Sequence, residues 1–300
     1  MTAKGLGHDD LPGLFEAADS ASLDGQHRYV RGVRLRLLLA VAAAATGAVP
    51  FVLGRVDVAA IGTAIALAAV SVTELNLKAA RPEDRWYDGR ALAESAKSLA
   101  WKFSVGGLPF DKAGGEAGGE AETERRFIQQ MHKLLEDAPT TSIRPSQRPV
   151  VTEGMRALRA APFAERKVAY LEARVADQQR WYTAKAARNE RLAGWWRAGL
   201  LSIEVIGICA ALGKAVGAVR FDLAGVVAAV IAAGTAWISL RQLSTLARAY
   251  TFAANELAIV RSRLELVEDE PSWASEVADA EEAVSREHTM WRASRTRPSS

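Results

Sequence analysis

The sequence has very little of the chemistry that enzymes and metal proteins use. Cys209 is the only cysteine among 300 residues, which excludes a disulfide within the chain and a Cys-rich metal site. The histidines lie far apart, without ligand-like spacing, at His8, His27, His132 and His288. No arrangement of a nucleophile with a base is recognisable. We therefore expect no catalytic, cofactor-binding or metal-binding residues, no cofactor, and a protein that is not an enzyme.

Two local clusters look like sites but have simpler explanations. The glycine pairs within residues 106–119 follow no strand and open no helix with a lysine, so they do not form a phosphate-binding loop. They are typical of a flexible linker. A second cluster lies on a short charged helix near the C-terminus, where solvent exposure is the expected state. It comprises Glu281, Glu282, Glu287 and His288.

The charge balance argues against a nucleic-acid partner. The 38 Lys and Arg residues face 35 Asp and Glu residues, which gives a formal charge of +3 and no strong positive field. The totals conceal a segregation, because apolar residues are concentrated in residues 33–77 and 195–240. The distribution of residues is therefore more informative than the average composition.

The two apolar blocks contain four stretches that resemble membrane helices, residues 37–53, 58–73, 198–213 and 223–240. Each has about 16–18 residues, at the short end of the length needed to cross roughly 30 Å of hydrocarbon. None has the polar stripe at helical spacing that a helix on a soluble surface shows. This favours membrane insertion over the alternative, a soluble helical bundle with buried hairpins.

The connections and flanking charges predict two hairpins with a defined orientation. Residues 54–57 and 214–222 are too short for anything except turns. Lys and Arg are more frequent outside the hairpins than in these turns; Arg28, Arg31, Arg34 and Arg36, for example, precede the first hairpin. By the positive-inside rule, both termini and the middle segment are cytoplasmic. The sequence thus predicts an all-α, multi-pass integral membrane protein with two transmembrane hairpins and cytoplasmic amphipathic, coiled-coil-like helices.

Glu204 is the only charged residue inside the four stretches. An ionised carboxylate that faces lipid costs on the order of 2.5–3.5 kcal/mol, so we expect Glu204 to face the helix bundle or an aqueous cavity. Two interpretations remain open. Glu204 carboxylates from several chains could form a ring at the mouth of a pore, or Glu204 could pair with Arg197 or with Arg241 across the hairpin.

Outside the hairpins, residues recur at alternating spacings of three and four, which is typical of helix-pairing seams. A long seam follows the second hairpin, on a helix predicted to continue the last membrane helix: Leu243, Leu246, Tyr250, Ala253, Leu257, Val260, Leu264 and Val267. Another follows the first hairpin: Trp86, Gly89, Ala93, Ala96, Ala100 and Phe103. A third, expected to pack less tightly, precedes the second hairpin: Ala164, Val168, Leu171, Val175, Gln178, Tyr182, Lys185, Asn189 and Leu192. Each seam serves either packing within the chain or assembly between chains.

The organisation of the chain repeats. A shift of about 162 residues superposes the two hairpins and places Glu94 on Glu256, although residue identity across the shift is poor. We divide the chain into a tail with a short helix (1–30), the first hairpin with its trailing helix (31–105), a connecting region (106–150), a second unit (151–295) and a tail (296–300). The connecting region holds the Gly-rich linker, a short amphipathic helix and a Pro-containing break. The second unit holds a leading helix, the hairpin, a long trailing helix and a C-terminal helix.

Motifs flank both hairpins. After the first, Ala93-Glu94-Ser95 leads to Trp101 and then to the sequence Gly-Gly-Leu-Pro-Phe at 106–110. Trp181 and Tyr182 precede the second, and three residues close the chain, Glu287, His288 and Trp291. The first set resembles the SLATT family of prokaryotic two-helix membrane effectors, and the second is similar to another subfamily of the same group. Together the motifs cover most of residues 30–292.

The resemblance implies a tandem effector of the bacterial inner or plasma membrane that perturbs the bilayer during conflict with phage or rival cells. It also implies a separately encoded nucleotide-sensing or nucleotide-producing partner, since this chain carries no fused sensor. We expect a homo-oligomer that forms a pore. The alternative is a membrane-anchored signalling or scaffold module without pore activity. A transporter is disfavoured because it would more often show broken helices and several polar groups at mid-membrane depth.

Overall fold

The structure is a computed structural model that describes residues 5–49, 51–112, 119–138, 143–218 and 223–295, with side chains described as far as Val284. The described helices are α1 Gly13–Gly47, α2 Val58–Ala80, α3 Pro82–Val105, α4 Gly119–Glu136, α5 Glu153–Ala160, α6 Phe163–Tyr170, α7 Asp177–Ala215, α8 Leu223–Arg241, α9 Leu243–Leu266 and α10 Glu270–Arg295. A 3-10 turn, His8–Asp10, precedes α1, and a π-helical segment, Leu171–Ala176, lies between α6 and α7. Strands β1 Val52–Leu53 and β2 Val56–Asp57 form a short antiparallel ladder. The predicted all-α class is confirmed.

The chain forms two compact units, and each draws on both halves of the sequence. The helical unit comprises Met1–Gln26, Glu83–Lys185 and Ala249–Ser300. The hairpin unit comprises His27–Pro82 and Ala186–Arg248, so the two apolar hairpins belong to one unit. The sequence suggested a succession of segments along the chain. The compact units instead combine equivalent parts of the two halves.

The first hairpin begins with one long helix. Helix α1 is continuous over 35 residues, whereas the sequence predicted a separate short helix within residues 1–30. The apolar stretch 37–53 is not a single helix, because α1 ends at Gly47 and the β1–β2 ladder follows. Gly54 lies between these strands with φ +65°, a conformation that glycine adopts without steric cost. Asp57 then caps α2 by accepting a hydrogen bond from the Ala60 amide at 3.1 Å.

Three helical stretches in the described part of the chain are long and apolar enough to cross a membrane. They lie within Val58–Val105, Phe163–Ala215 and Leu223–Leu266. They include the predicted stretches 58–73, 198–213 and 223–240. The stretch 37–53 does not qualify, because its helical part ends at Gly47, a few turns after the charged Arg34 and Arg36.

Both hairpins end at a residue with a left-handed backbone. Arg81 has φ 41° after α2, and Gln242 has φ 46° after α8. Each amide still donates to the carbonyl four residues earlier, Arg81 to Leu77 at 3.1 Å and Gln242 to Ile238 at 2.9 Å. The prediction that the last membrane helix continues into the cytoplasmic helix is therefore wrong. The two breaks are separated by nearly the shift that superposes the hairpins, so the duplication extends to this backbone feature.

The seam that follows the first hairpin packs inside the helical unit. Gly89, Ala93, Ala96, Ala100 and Phe103 are buried. A Cβ at Gly89 would lie 2.9 Å from both the Ala18 oxygen and the Ser22 nitrogen of α1, so only glycine allows this approach of α1 and α3. The packing alternative is confirmed for this seam.

The seam of α9 is also occupied within the chain. Val260 and Leu264 belong to the main core, together with Trp101, Tyr170 and Trp273. Leu257 packs with Tyr182, Ala253, Ala254 and Val284 in a smaller cluster that Tyr250 partly covers. Leu243 is buried and Leu246 is half-buried, both in the hairpin unit. The described seam thus has partners without a second chain.

The segment that opens the supposed flexible linker is a packed turn. The Gly107 amide donates to the Lys102 oxygen at 2.8 Å, and the Leu108 amide donates to the Ala274 oxygen at 2.9 Å. Phe110 is fully buried beside Phe103 and Phe127. A linker is therefore the wrong interpretation for residues 106–110, while 113–118 lie outside the described residues. The amphipathic helix after it is confirmed as α4, with Phe127 and Met131 buried.

The first residues of the predicted third seam are not on the buried face of the helix. Ala164 and Val168 are exposed, whereas Arg166, Ala169 and Tyr170 are buried in their place. The π-helical segment explains the difference, because it adds one residue per turn and shifts the buried face of the helix. Spacings of three and four are not maintained across such a turn.

Candidate functional site

The hairpin unit presents an apolar surface around one unpaired carboxylate. Within the first hairpin, the Thr46 and Thr63 hydroxyls are hydrogen-bonded at 2.9 Å across α1 and α2. Within the second, a Cβ at Gly207 would lie 2.6 Å from Val227, so α7 and α8 approach closely. The large side chains on the outside of these helices are exposed, among them Ile65, Ile206, Ile208 and Leu212.

Glu204 lies on the outside of α7. Its side chain is exposed, and within the described residues it has no hydrogen bond or ion pair. Neither predicted ion pair is present. The Arg197 Nε donates to the Ala193 oxygen of its own helix at 3.3 Å, and the Arg241 guanidinium lies over the Trp237 ring at 5.8 Å.

A paired carboxylate, Glu74, lies near the charged end of the first hairpin. Glu74 of α2 contacts Lys78 at 2.9 Å and Arg36 of α1 at 3.5 Å. This pairing joins α1 and α2 near the residues where the apolar stretches end. Glu74 is therefore compensated by neighbouring cations, which distinguishes it from Glu204.

The helical unit contains a buried polar cluster that the sequence did not predict. Glu281 of α10 is 1% exposed and accepts four hydrogen bonds. Arg174 donates two of them, through Nε at 2.9 Å and Nη2 at 2.7 Å. The Ser98 hydroxyl donates at 2.7 Å and the Tyr170 hydroxyl at 2.9 Å. The expectation that Glu281 is solvated is therefore wrong.

The electrostatics of the cluster favour an ionised Glu281. Burial raises the pKa of this carboxyl, but the charge of Arg174 and the hydrogen bonds from Arg174, Ser98 and Tyr170 oppose that effect and leave the pKa below its ordinary value. The cluster has four donors that already satisfy the carboxylate. Its chemistry is that of a structural junction between α3, the π-helical segment and α10.

Two further buried arginines, Arg159 of α5 and Arg166 of α6, lie against the end of α3. Arg159 Nη1 donates to the oxygens of Phe103 and Phe110, both at 2.8 Å. Arg166 Nη1 donates to the Val105 oxygen at 2.5 Å, which also accepts from the Trp273 indole at 2.9 Å. The Phe103 and Val105 carbonyls lie in the last turn of α3, which leaves them without intrahelical partners, and Phe110 lies in the turn that follows.

The motif residues of the first half are part of the helical core. Glu94 is buried and pairs with Arg90 at 2.8 Å. Trp101 is 1% exposed and packs edge-on against Tyr170 with the ring centres 5.7 Å apart. Both residues therefore have structural roles within the helical unit.

The motif residues of the second half separate into a described and an undescribed group. Tyr182 is buried and stacks on Tyr250 with ring centres 5.7 Å apart. Trp181 packs edge-on against Tyr250, and the Lys185 ammonium lies 5.4 Å from its ring centre. The side chains of Glu287, His288 and Trp291 lie outside the described residues, although the backbone there is helical in α10.

Two family descriptions match the chain, one for each half of the sequence. The family described as SMODS and SLOG-associating 2TM effector domain 3 matches residues 12–167, which is more than half of the chain. The chain belongs to the SLATT family. A second SLATT description, SMODS and SLOG-associating 2TM effector domain 1, matches residues 170–291. The resemblance to two SLATT subfamilies in tandem is thereby confirmed.

The SLATT assignment gives the hairpins a coarse role, because SLATT domains are helical membrane effector domains associated with SMODS and SLOG proteins. No curated protein and no solved structure matches the chain. The boundary between the two SLATT matches falls at residues 167–170, in α6, so Ser98 comes from the first domain and Arg174 and Glu281 from the second. The polar cluster thus joins the two SLATT domains.

Proposed function

We propose that this tandem SLATT protein is a membrane effector of a prokaryotic conflict or defence system, which oligomerises to form a pore or to perturb the bilayer. It resides in the bacterial inner or plasma membrane, with both termini cytoplasmic. A separately encoded protein that senses or produces a nucleotide triggers it. The chain performs no enzymatic step, uses no cofactor and binds no nucleic acid.

The observation that carries the proposal is the position of Glu204. Its carboxylate is exposed on an otherwise apolar part of α7 and has no partner in the described part of its own chain. If α7 faced only lipid here, the charge would cost on the order of 2.5–3.5 kcal/mol. Contact with water or with another chain removes this cost, and a ring of such carboxylates in an oligomer would attract cations.

The tandem arrangement supports assembly from few copies. Both hairpins belong to one compact unit, so each chain already brings together the membrane parts of two SLATT domains. The described parts of the α3 and α9 seams are occupied within the chain. We therefore propose that chains associate through the exposed faces of the hairpin unit rather than through the α9 seam.

Glu204→Gln tests the pore role of the carboxylate. This change keeps the size of the side chain and removes its charge, so the protein should insert normally while the cation preference or the conductance falls. Ion flux from vesicles containing the purified full chain, measured with sodium and with chloride gradients, gives the readout.

Glu190→Gln is the matched control. Glu190 is exposed on the same helix but lies outside the apolar stretch, so its replacement removes an equal charge without touching the proposed pore. Equal ion preference in wild type and Glu204→Gln would remove Glu204 from the pore. Vesicles that stay sealed with every variant, although the protein is inserted and oligomeric, would favour the scaffold alternative.

A further inference from the structure

The two compact units carry opposite net charges. The hairpin unit contains 14 Lys and Arg residues against 5 Asp and Glu residues, a net charge of +9, whereas the helical unit carries −6. The small total of +3 therefore hides a strongly basic membrane part. Basic residues beside membrane helices attract anionic lipid headgroups. The positive charge favours anionic lipids as ligands, and the surface of α7 has a groove in which such a lipid fits.

A shallow groove runs along one face of α7. It has a volume of about 220 Å³ and is lined by Leu192, Trp195, Trp196, Gly199, Leu200 and Ile203. A Cβ at Gly199 would meet no atom within 4 Å, so the groove is open over this residue. The volume is below that of pockets that enclose drug-sized ligands, and no charged side chain lines it. It suits a part of an acyl chain.

Two arginines lie at the charged end of the groove. Arg188 is four residues before Leu192, and Arg191 is four residues before Trp195, so each shares a helix face with a residue of the lining. Both are exposed, and neither forms an ion pair with an acidic residue in the described part of the chain. Arg191 donates through Nε to the Ala187 oxygen of its own helix at 3.3 Å. The planar set of N–H donors in arginine matches the geometry of a phosphate group.

We propose that α7 binds one anionic phospholipid, with its phosphate held by Arg188 and Arg191 and one acyl chain lying over Gly199. Trp195 is 78% exposed and Trp196 lies beside it, and indole rings favour the level of the lipid headgroups. The arginines, the tryptophans and the groove over Gly199 then follow the order in which a phospholipid places its phosphate, its glycerol and its acyl chains from the membrane surface inward. The proposal requires that α7 lies in the bilayer, but it does not require that the protein forms a pore.

Quenching of tryptophan fluorescence by brominated phospholipids tests the proposal. The purified full chain in mixed micelles is titrated with phosphatidylglycerol or phosphatidylcholine, each brominated in the acyl chain. Each arginine near a membrane surface contributes about fivefold to the binding of an anionic lipid, so the two together should give a preference of about 25-fold for phosphatidylglycerol. Arg188→Gln with Arg191→Gln should abolish this preference, and Gly199→Leu should weaken the binding of both lipids.

Arg31→Gln with Arg34→Gln is the control. These arginines of α1 are exposed and do not line the groove, and their replacement removes the same amount of positive charge. This pair should retain the preference for phosphatidylglycerol. Three results would overturn the proposal. The wild type could be quenched equally by the two lipids, the control pair could lose the preference for phosphatidylglycerol as fully as Arg188→Gln with Arg191→Gln does, or Gly199→Leu could bind both lipids as well as the wild type. Since no ion flux is measured, lipid binding and pore formation can fail independently.

Discussion

Arg174→Met is expected to lower the free energy of unfolding of the helical unit by about 3–5 kcal/mol, because it leaves the buried Glu281 carboxylate without its counter-charge. The two side chains are 2% and 0% exposed, so solvent cannot compensate for the loss. For a unit of this size, such a change should lower the Tm by about 6–20 °C. Thermal unfolding of the detergent-solubilised full chain, followed by circular dichroism, measures it.

Two further variants separate pairing from general damage. Arg180→Met removes an exposed arginine that contacts only its helical neighbour Asp177, and it should change stability by less than about 0.5 kcal/mol. Arg174→Met with Glu281→Leu replaces the whole pair by apolar groups and should recover part of the loss, since no buried charge then remains unpaired. A double variant that is less stable than Arg174→Met would contradict this account of the cluster.

Leu264→Ala is expected to cost about 2–5 kcal/mol, because it removes a side chain that is fully buried in the core of the helical unit. Leu266→Ala, two residues later on the same helix, removes a side chain that is 81% exposed and should change stability by less than about 0.5 kcal/mol. Thermal unfolding of both variants gives the comparison.

The same two variants test whether the α9 seam packs within the chain or forms an interface between chains. If the seam packs within the chain, the stability loss in Leu264→Ala should be independent of protein concentration. Equal stability of the two variants, or a loss that appears only at concentrations where oligomers form, would instead assign Leu264 to an interface between chains.

The sequence predicted those elements that depend on local pattern. The stripe Gly89, Ala93, Ala96 and Ala100 is buried as its spacing requires, because no break interrupts α3. The apolar stretches of α2, α7 and α8 were likewise recognisable, since membrane helices are defined by composition over one continuous segment. The SLATT resemblance rested on motif residues close to these elements, and it held for both halves.

Pairs that are distant in sequence could not be predicted. Glu281 lies four residues after Val277 and three before Val284, which places it on the buried stripe of α10. That position was a usable signal, but its partner Arg174 is 107 residues away and is presented by a π-helical turn. The break at Gln242 has no glycine or proline to mark it. The packing of residues 106–110 depends on Arg166 and α10, so composition alone suggested a linker.

The junction at Glu281 connects the two SLATT domains. Ser98 belongs to the first SLATT domain, and Arg174 and Glu281 belong to the second, so one carboxylate holds helices of both domains in the helical unit. The helical unit is therefore a shared core of the two SLATT domains.

Release of ions and of a small dye from sealed vesicles that contain only the purified full chain tests the central claim most directly. We expect leakage that rises steeply with the ratio of protein to lipid, because a high density of chains drives the assembly that the partner triggers in the cell, and that favours cations over anions. If inserted, oligomeric protein leaves the vesicles sealed to both ions and dye at every ratio, also after addition of the nucleotide-dependent partner, the chain is not a membrane-permeabilising effector.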